Sequence, residues 1–295
     1  MRNILIIKTG AAGDVMRTSV LLHLFPNDRV YWVSTKLNGQ LLPQNLDSLS
    51  ILDIDDLNES ELPVMDLVIS LDDDMKCAAL ASRMAKKELV GTYLDGDQVK
   101  YTESCREWYD MGLVSIFGKE KADAIKKRNL KSYQEILYGM FNTDFEAQRY
   151  LTREDVKGAP QRKLIGLEDR AGARWPTKVW HRFDELAKLL EGEGYTIKYF
   201  QDRDTLKEYM EDIAECSLIV TGDSLGMHIA LALGIPNVSI FTCTSASEIY
   251  DYGIMAKVVS PLLNDAFYTN DYRIDVLNSI TVEEVVKNVR ELMSR

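Results

Sequence analysis

The residues best suited to chemistry fall in three short segments, each set between an apolar run and a helix-like stretch. The first is Gly10-Ala11-Ala12-Gly13-Asp14. Small residues let a loop approach a ligand closely, and a carboxylate in the first turn of a helix is favoured in its ionised form. Asp14 is therefore suited to accept a hydroxyl proton as a general base, with an ordinary helix cap as the competing role. The loop lacks the Gly-Lys-Ser/Thr of a P-loop and the third glycine of a dinucleotide fingerprint, which argues against a nicotinamide-dependent oxidoreductase. The second segment is Gly172-Ala173-Arg174-Trp175-Pro176-Thr177-Lys178-Val179-Trp180. Its backbone N–H groups and Lys178 suit phosphate oxygens, and Arg174 adds a forked donor. The bland alternative is a surface loop that its tryptophans pin to the core. The third is Thr221-Gly222-Asp223-Ser224-Leu225-Gly226-Met227-His228. Asp223 and Ser224 can bind sugar hydroxyls or cap a helix, and Gly226 permits close approach to a diphosphate. His228 falls in a first helical turn, where a packed histidine is commoner than a catalyst.

Acidic pairs at Asp53/Asp55, Asp95/Asp97 and Asp202/Asp204 have the spacing of cation ligands, but among 46 carboxylates such pairs arise by chance. No metal site is expected. The run Asp72-Asp73-Asp74 reads as a solvated helix start.

The elements that must position these segments alternate. Apolar runs at 3–8, 30–33 and 66–71 read as strands, with helical spacing over 14–25 and 74–86. Residues 101–151 turn helical and rich in lysine and glutamate, and read as an insertion at the edge of a first domain. A polar stretch with Gly158 and Pro160 follows as a linker. The rhythm then restarts with strands at 163–168, 195–200, 217–221 and 237–241, and helices over 180–191, 205–216 and from 225 onward. Thr281-Val282-Glu283-Glu284 resembles a capping box for a last helix. The pattern predicts an α/β chain of two doubly wound domains, 1–155 and 156–295, whose last helix can pack back on the first domain. A cleft between the carboxyl ends of the strands is the expected binding site.

The 295 residues carry a formal charge of −11, spread evenly over both halves, which disfavours nucleic acid as a general partner. Four widely spaced cysteines and three histidines give neither a disulfide framework nor a histidine-rich metal site. No apolar run reaches the roughly 18–20 residues a membrane-spanning helix needs, so a cytoplasmic protein is expected.

Taken together and in this order, the three segments resemble glycosyltransferase family nine, the bacterial heptosyltransferase family. Gly13-Asp14-Val15-Met16-Arg17-Thr18, Gly172 through Trp180, and Asp223 through Pro236 carry the likeness. It implies a GT-B fold, two Rossmann-like domains facing a central cleft, with acceptor in the first and nucleotide-sugar in the second. It also implies an inverting, metal- and cofactor-free transfer of a sugar, heptose from ADP-heptose, to a glycan or lipopolysaccharide-type hydroxyl. By position, Asp14 matches the general base, with Lys8, Gly13 and Arg17 on the acceptor side. Arg174, Thr177, Lys178, Gln201, Asp202, Asp223, Ser224, Leu225, Gly226, Met227 and His228 match the donor side. A lipid-linked acceptor would bring the protein to the inner membrane surface. Lys8, Arg17, Arg174 and Lys178 are expected to make the cleft basic. The chain departs from the family at Leu225, where glycine is usual, at Thr242-Cys243 in place of Gly-Pro, at Ala173 and Arg174, and at Val20. These departures leave open an alternative, a non-catalytic nucleotide-sugar-binding protein on the same fold.

Overall fold

The computed structural model describes residues 1–172 and 174–294, so Ala173 of the second segment lies outside the described residues. The chain divides into two compact units, Met1–Glu154 and Asp155–Arg295.

In the first unit, β1 (Asn3–Ile7) leads into α1 (Ala12–Thr18), then β2 (Arg29–Ser34), β3 (Leu49–Asp53), β4 (Met65–Ser70) and α2 (Met75–Arg83). The strands β5 (Lys86–Asp95) and β6 (Gln98–Tyr101) complete a six-stranded sheet in the order β3-β2-β1-β4-β5-β6. Ile4 through Ile7 are fully buried, as expected of a central parallel strand covered on both faces. The sheet is parallel except for β6, which returns antiparallel to β5 after a turn with Gly96 at φ +61. Gly91 of β5 has φ +114, and a Cβ there would lie 1.9 Å from the Ser70 carbonyl oxygen, so only glycine lets β5 run against β4. The helical stretch expected over 14–25 changes character midway: α1 stops at Thr18 and a 3₁₀ turn takes Ser19–Leu24. Thr18 Oγ1 donates back to the Asp14 carbonyl at 2.6 Å and Ser19 Oγ to that of Met16 at 2.7 Å. Such back-bonding competes with the helical ladder and tightens the turn. The insertion holds three short helices, α3 (Arg106–Tyr109), α4 (Lys119–Lys126) and α5 (Tyr133–Gly139), the last opened by a full Ser132–Glu135 capping box.

The second unit contains β7 (Gln161–Glu168), α6 (Phe183–Gly192), β8 (Thr196–Tyr199), α7 (Leu206–Ala214), β9 (Cys216–Gly222) and α8 (Leu225–Leu233). After β10 (Asn237–Phe241) come β11 (Met255–Val259), α9 (Ile274–Asn278) and α10 (Val282–Met293). Its parallel sheet runs β11-β10-β9-β7-β8. Gly234 closes α8 in the left-handed conformation, the commonest way to end a helix. The last helix, for which packing on the first domain is an expectation above, lies against its own unit: Val282, Val285, Val286 and Val289 share one core with Leu186, Leu218 and Ile240. Its cap is half a capping box, with Thr281 Oγ1 accepting from the Glu284 N–H.

The strand orders decide where ligands belong. In the first unit the order reverses between β1 and β4, in the second between β7 and β9. Ligands of doubly wound sheets sit outside the carboxyl ends of the strands at such reversals. The loops there carry Lys8–Asp14 and Asp72 in one unit, and Glu168–Lys178 and Asp223–Ser224 in the other.

Candidate functional site

Asp14 is the third residue of α1, and the cap position belongs to Ala11, whose side chain makes no capping bond. Asp14 therefore lies in the first turn and not at the cap position. The Asp14 carboxylate, 36% exposed, accepts from the Arg17 guanidinium at 2.8 Å. Arg17 itself is buried, its guanidinium carbon 4.0 Å from the centre of the Tyr133 ring and 5.5 Å from that of Trp108. Tyr133 is fixed in turn by Thr18, hydroxyl to hydroxyl at 3.0 Å. The cage therefore joins α1 to two helices of the insertion and presents one carboxylate at a set angle beside the β1/β4 reversal.

Lys8 follows β1 and is 6% exposed. Its Nζ reaches Asp72 Oδ1 at 2.5 Å, while Asp72 Oδ2 accepts from the Thr9 backbone N–H at 2.5 Å and from the Thr9 hydroxyl at 2.7 Å. Burial favours the neutral amine, but the Asp72 and Asp14 carboxylates outweigh it and hold Lys8 above its ordinary range. Lys8 and Arg17, expected to meet the acceptor, are thus committed inside the unit, one to Asp72 and one to Asp14. Gly13 sits half-buried in the first turn of α1. The Asp72–Asp74 run is not a simple solvated start. Asp74 caps α2 through the Lys76 and Cys77 N–H groups, whereas Asp72 is buried and ties two loops together. Asp72, Asp74 and Cys77 form a cluster with metal-ligating atoms. Their carboxylates already serve Lys8, Thr9 and the α2 cap, and burial pushes the Cys77 thiol up.

In the second unit, Lys178 Nζ meets Asp223 Oδ2 at 3.1 Å, both side chains mostly buried. Burial alone would raise the Asp223 carboxyl; Lys178 and His228 prevail and hold it below its usual range. A Cβ on Gly222 would come 3.1 Å from the Lys178 carbonyl oxygen, so the missing side chain lets the Lys178 backbone lie against the end of β9. Ser224 takes the cap position of α8, and its hydroxyl pairs with Thr221 Oγ1 at 2.8 Å rather than with the helix N–H groups. The first-turn N–H groups of α8, on Leu225 to Met227, carry the positive end of the helix dipole.

Among the remaining donor-side residues, some side chains are engaged inside the unit and others are exposed. Thr177 is fully buried; its hydroxyl donates to the Asp271 carbonyl and accepts from the Arg273 N–H, so it fastens the loop. Met227 is fully buried and His228 nearly so, which leaves the Met227 side chain to the core. The space over Gly226 is taken by the Tyr209 hydroxyl, which a Cβ would meet at 2.6 Å. Arg174 is exposed over the Trp175 ring at 4.9 Å, and Trp175 abuts Tyr268 edge-on. Gln201 and Asp202 follow β8 and are exposed.

A network that the sequence reading passed over lies beside them. Glu168, buried at the end of β7, accepts two arms of Arg170 at 2.8 and 3.0 Å and the Tyr209 hydroxyl at 2.5 Å. Arg170 also reaches Asp202 at 2.6 Å. Glu168 ends an apolar strand, and a charged residue at such a position is the only signal that marked it. Of the four cations expected here, Lys8, Arg17 and Lys178 each meet a carboxylate, while Arg174 is exposed over Trp175.

Each unit carries a doubly wound, Rossmann-like sheet, and the fold is of the GT-B class. The chain is similar to a glycosyl transferase family 9 structure from Veillonella parvula, at 18% identity, 99% coverage of this chain, 97% of that one and a TM-score of 0.66. It is similar to E. coli heptosyltransferase WaaC with ADP at 17% identity, 98% and 99% coverage and a TM-score of 0.65. E. coli ADP-heptose lps heptosyltransferase II follows at 16% identity, 99% and 98% coverage and 0.56. The sequence profile of Glycosyltransferase family 9 (heptosyltransferase) matches residues 203–266, which include the Asp223–His228 segment. No curated protein sequence matches significantly.

Proposed function

We propose that the chain is an inverting, metal- and cofactor-independent glycosyltransferase that moves heptose from ADP-heptose to a hydroxyl of a glycan or lipopolysaccharide-type acceptor. The observation that carries the reading is Asp14: a part-exposed carboxylate, held by Arg17 in an aromatic cage at the switch point of a unit similar to heptosyltransferases. In this reading the Asp14 carboxylate takes the proton of the acceptor hydroxyl as its oxygen bonds to the anomeric carbon from the face opposite the donor. The bond from that carbon to the diphosphate breaks, and the electron pair leaves with the nucleoside diphosphate. Lys178 has three N–H donors and engages one on Asp223, so it can share the remainder with phosphate oxygens. The N–H groups at the start of α8 add fixed dipoles where negative charge builds up. Gln201 and Asp202 take the nucleoside, and Ser224 the sugar or its diphosphate. Support for this donor comes from WaaC, a similar structure described with ADP and with ADP-2-deoxy-2-fluoro heptose. The reading places the protein in the cytoplasm, at the inner membrane surface when its acceptor is lipid-linked. No helix among the described residues is long and apolar enough to cross a membrane.

A second reading, donor binding without transfer, draws on the Tyr209 hydroxyl over Gly226, which narrows the approach to the α8 terminus. Turnover by the wild type separates the two, and the Asp14→Asn variant then tests the base. The transfer reading predicts loss of at least about a hundredfold in turnover, in line with removal of a general base, with ADP-heptose affinity by calorimetry unchanged. Unchanged turnover in the variant would return Asp14 to a structural role.

A further inference from the structure

The insertion between β6 and β7 carries charge and exposed apolar surface that the catalytic reading does not use. Residues 101–150 hold eight basic and eight acidic side chains, yet the cations crowd into one stretch. Lys119, Lys121, Lys126, Lys127, Arg128 and Lys131 stand there against only Glu120 and Asp123, in a chain whose net charge is −11. The same stretch leaves large apolar residues open to water: Leu130 at 89%, Leu113 at 69% and Ile116 at 68% exposure. Met111, Ile125 and Leu130 line an open groove of about 390 Å³ that Arg128 and Lys131 also border. Helix α4 fixes the orientation, with Ala122 buried and Lys119 and Lys121 exposed. The Lys121 ammonium lies 4.0 Å from the centre of the Phe117 ring, a cation–π contact at an exposed position. Lys119 and Lys131 are tied to Asp123 and Glu107, and Lys126 borders Trp108.

We propose that residues 113–131 form a docking surface for an anionic lipid bilayer. Leu113, Ile116 and Leu130 enter the apolar boundary, while Lys121, Lys127 and Arg128 meet the lipid phosphates. Exposed aliphatic side chains flanked by cations suit a headgroup region. A nucleic acid would call for aromatic stacking platforms, which exposed leucine and isoleucine do not supply. A second copy of the chain would set like charges against each other. The purpose of the surface rests on the acceptor being lipid-linked, as in the proposed function, whereas the binding itself is measured without turnover.

The test is flotation of the full chain with vesicles of phosphatidylcholine alone or mixed with phosphatidylglycerol. The wild type should bind the anionic vesicles at least about tenfold more tightly, with the gain lost in high salt as exposed charges are screened. Two variants should lose that binding, one with Lys121, Lys127 and Arg128 changed to Glu, the other with Leu113→Ser and Leu130→Ser. Circular dichroism and ADP-heptose affinity should be unchanged in both. Equal binding to neutral vesicles, no binding to either, or wild-type flotation by both variants would overturn the proposal. So would preferential binding of single-stranded nucleic acid through the same lysines. Failed flotation with intact transfer to a soluble acceptor refutes the docking surface alone. Intact flotation without transfer refutes the catalytic reading alone.

Discussion

In the proposed reading, Asp14 owes its fitness as a base to its neighbours more than to its helical position. A first-turn carboxylate is common, but one held 2.8 Å from an arginine that is stacked on Tyr133 has lost most of its freedom to point elsewhere. The Gly-Asp step after an apolar strand made Asp14 legible in the sequence. Arg17 was legible only as a nearby cation, because its aromatic partners come more than ninety residues later in an insertion that carries no motif. Asp223 shows the electrostatic side of the same principle. Its carboxyl is held below the ordinary range, so it binds fewer protons folded than unfolded and adds stability at neutral pH. That contribution is complete above about pH 5, the top of the unfolded aspartate's titration, and fades as pH falls through the depressed folded value. Asp223→Asn should therefore be less stable than the wild type in urea at pH 7. The gap should shrink as pH drops below about 4. A gap that stays constant with pH would show that Lys178 does not depend on the Asp223 charge.

At the scale of elements, the two loops at the β1/β4 reversal are joined by one carboxylate. Asp72 holds the Lys8 ammonium and both donors of Thr9, which fixes the chain leading into α1. The composition pointed the other way, since three consecutive aspartates usually face water. Position after a buried strand, rather than charge density, separates Asp72 from Asp74. Asp72→Ala leaves the buried Lys8 ammonium without its carboxylate and the part-buried Thr9 N–H without its acceptor, a loss of about 3–5 kcal/mol for breaking such a pair from one side. Urea unfolding at pH 7 measures it; a change under about 1 kcal/mol would mean that water replaces the carboxylate at no cost. The strands at 3–8 and 66–71 were readable because buried parallel strands are nearly continuously apolar. β3, β5, β6 and β11 went unread because they lie toward sheet edges and mix polar with apolar residues, as in Lys86-Lys87-Glu88. Gly226 was legible as a close approach, but its partner is Tyr209 of α7, a contact between helices that no local spacing announces.

For the whole molecule, the repeated strand–loop–helix rhythm was enough to divide the chain into two doubly wound units, because each repeat buries its own sheet. The charge distribution was less legible. Lys8, Arg17 and Lys178 count as cations in a sequence, yet each is answered by a carboxylate brought near only by folding. In the proposed reading a donor diphosphate would share Lys178 with Asp223, with Arg174 exposed on the same loop. The most direct test of the account is release of ADP from ADP-heptose by the wild-type chain, followed with and without a deacylated lipopolysaccharide core as acceptor. The account predicts ADP release that depends on the acceptor and matches, one for one, the gain of heptose by the core with inverted anomeric configuration. Tight binding of ADP-heptose with no ADP released when the core is added would contradict it and leave a protein that holds the donor without transferring it.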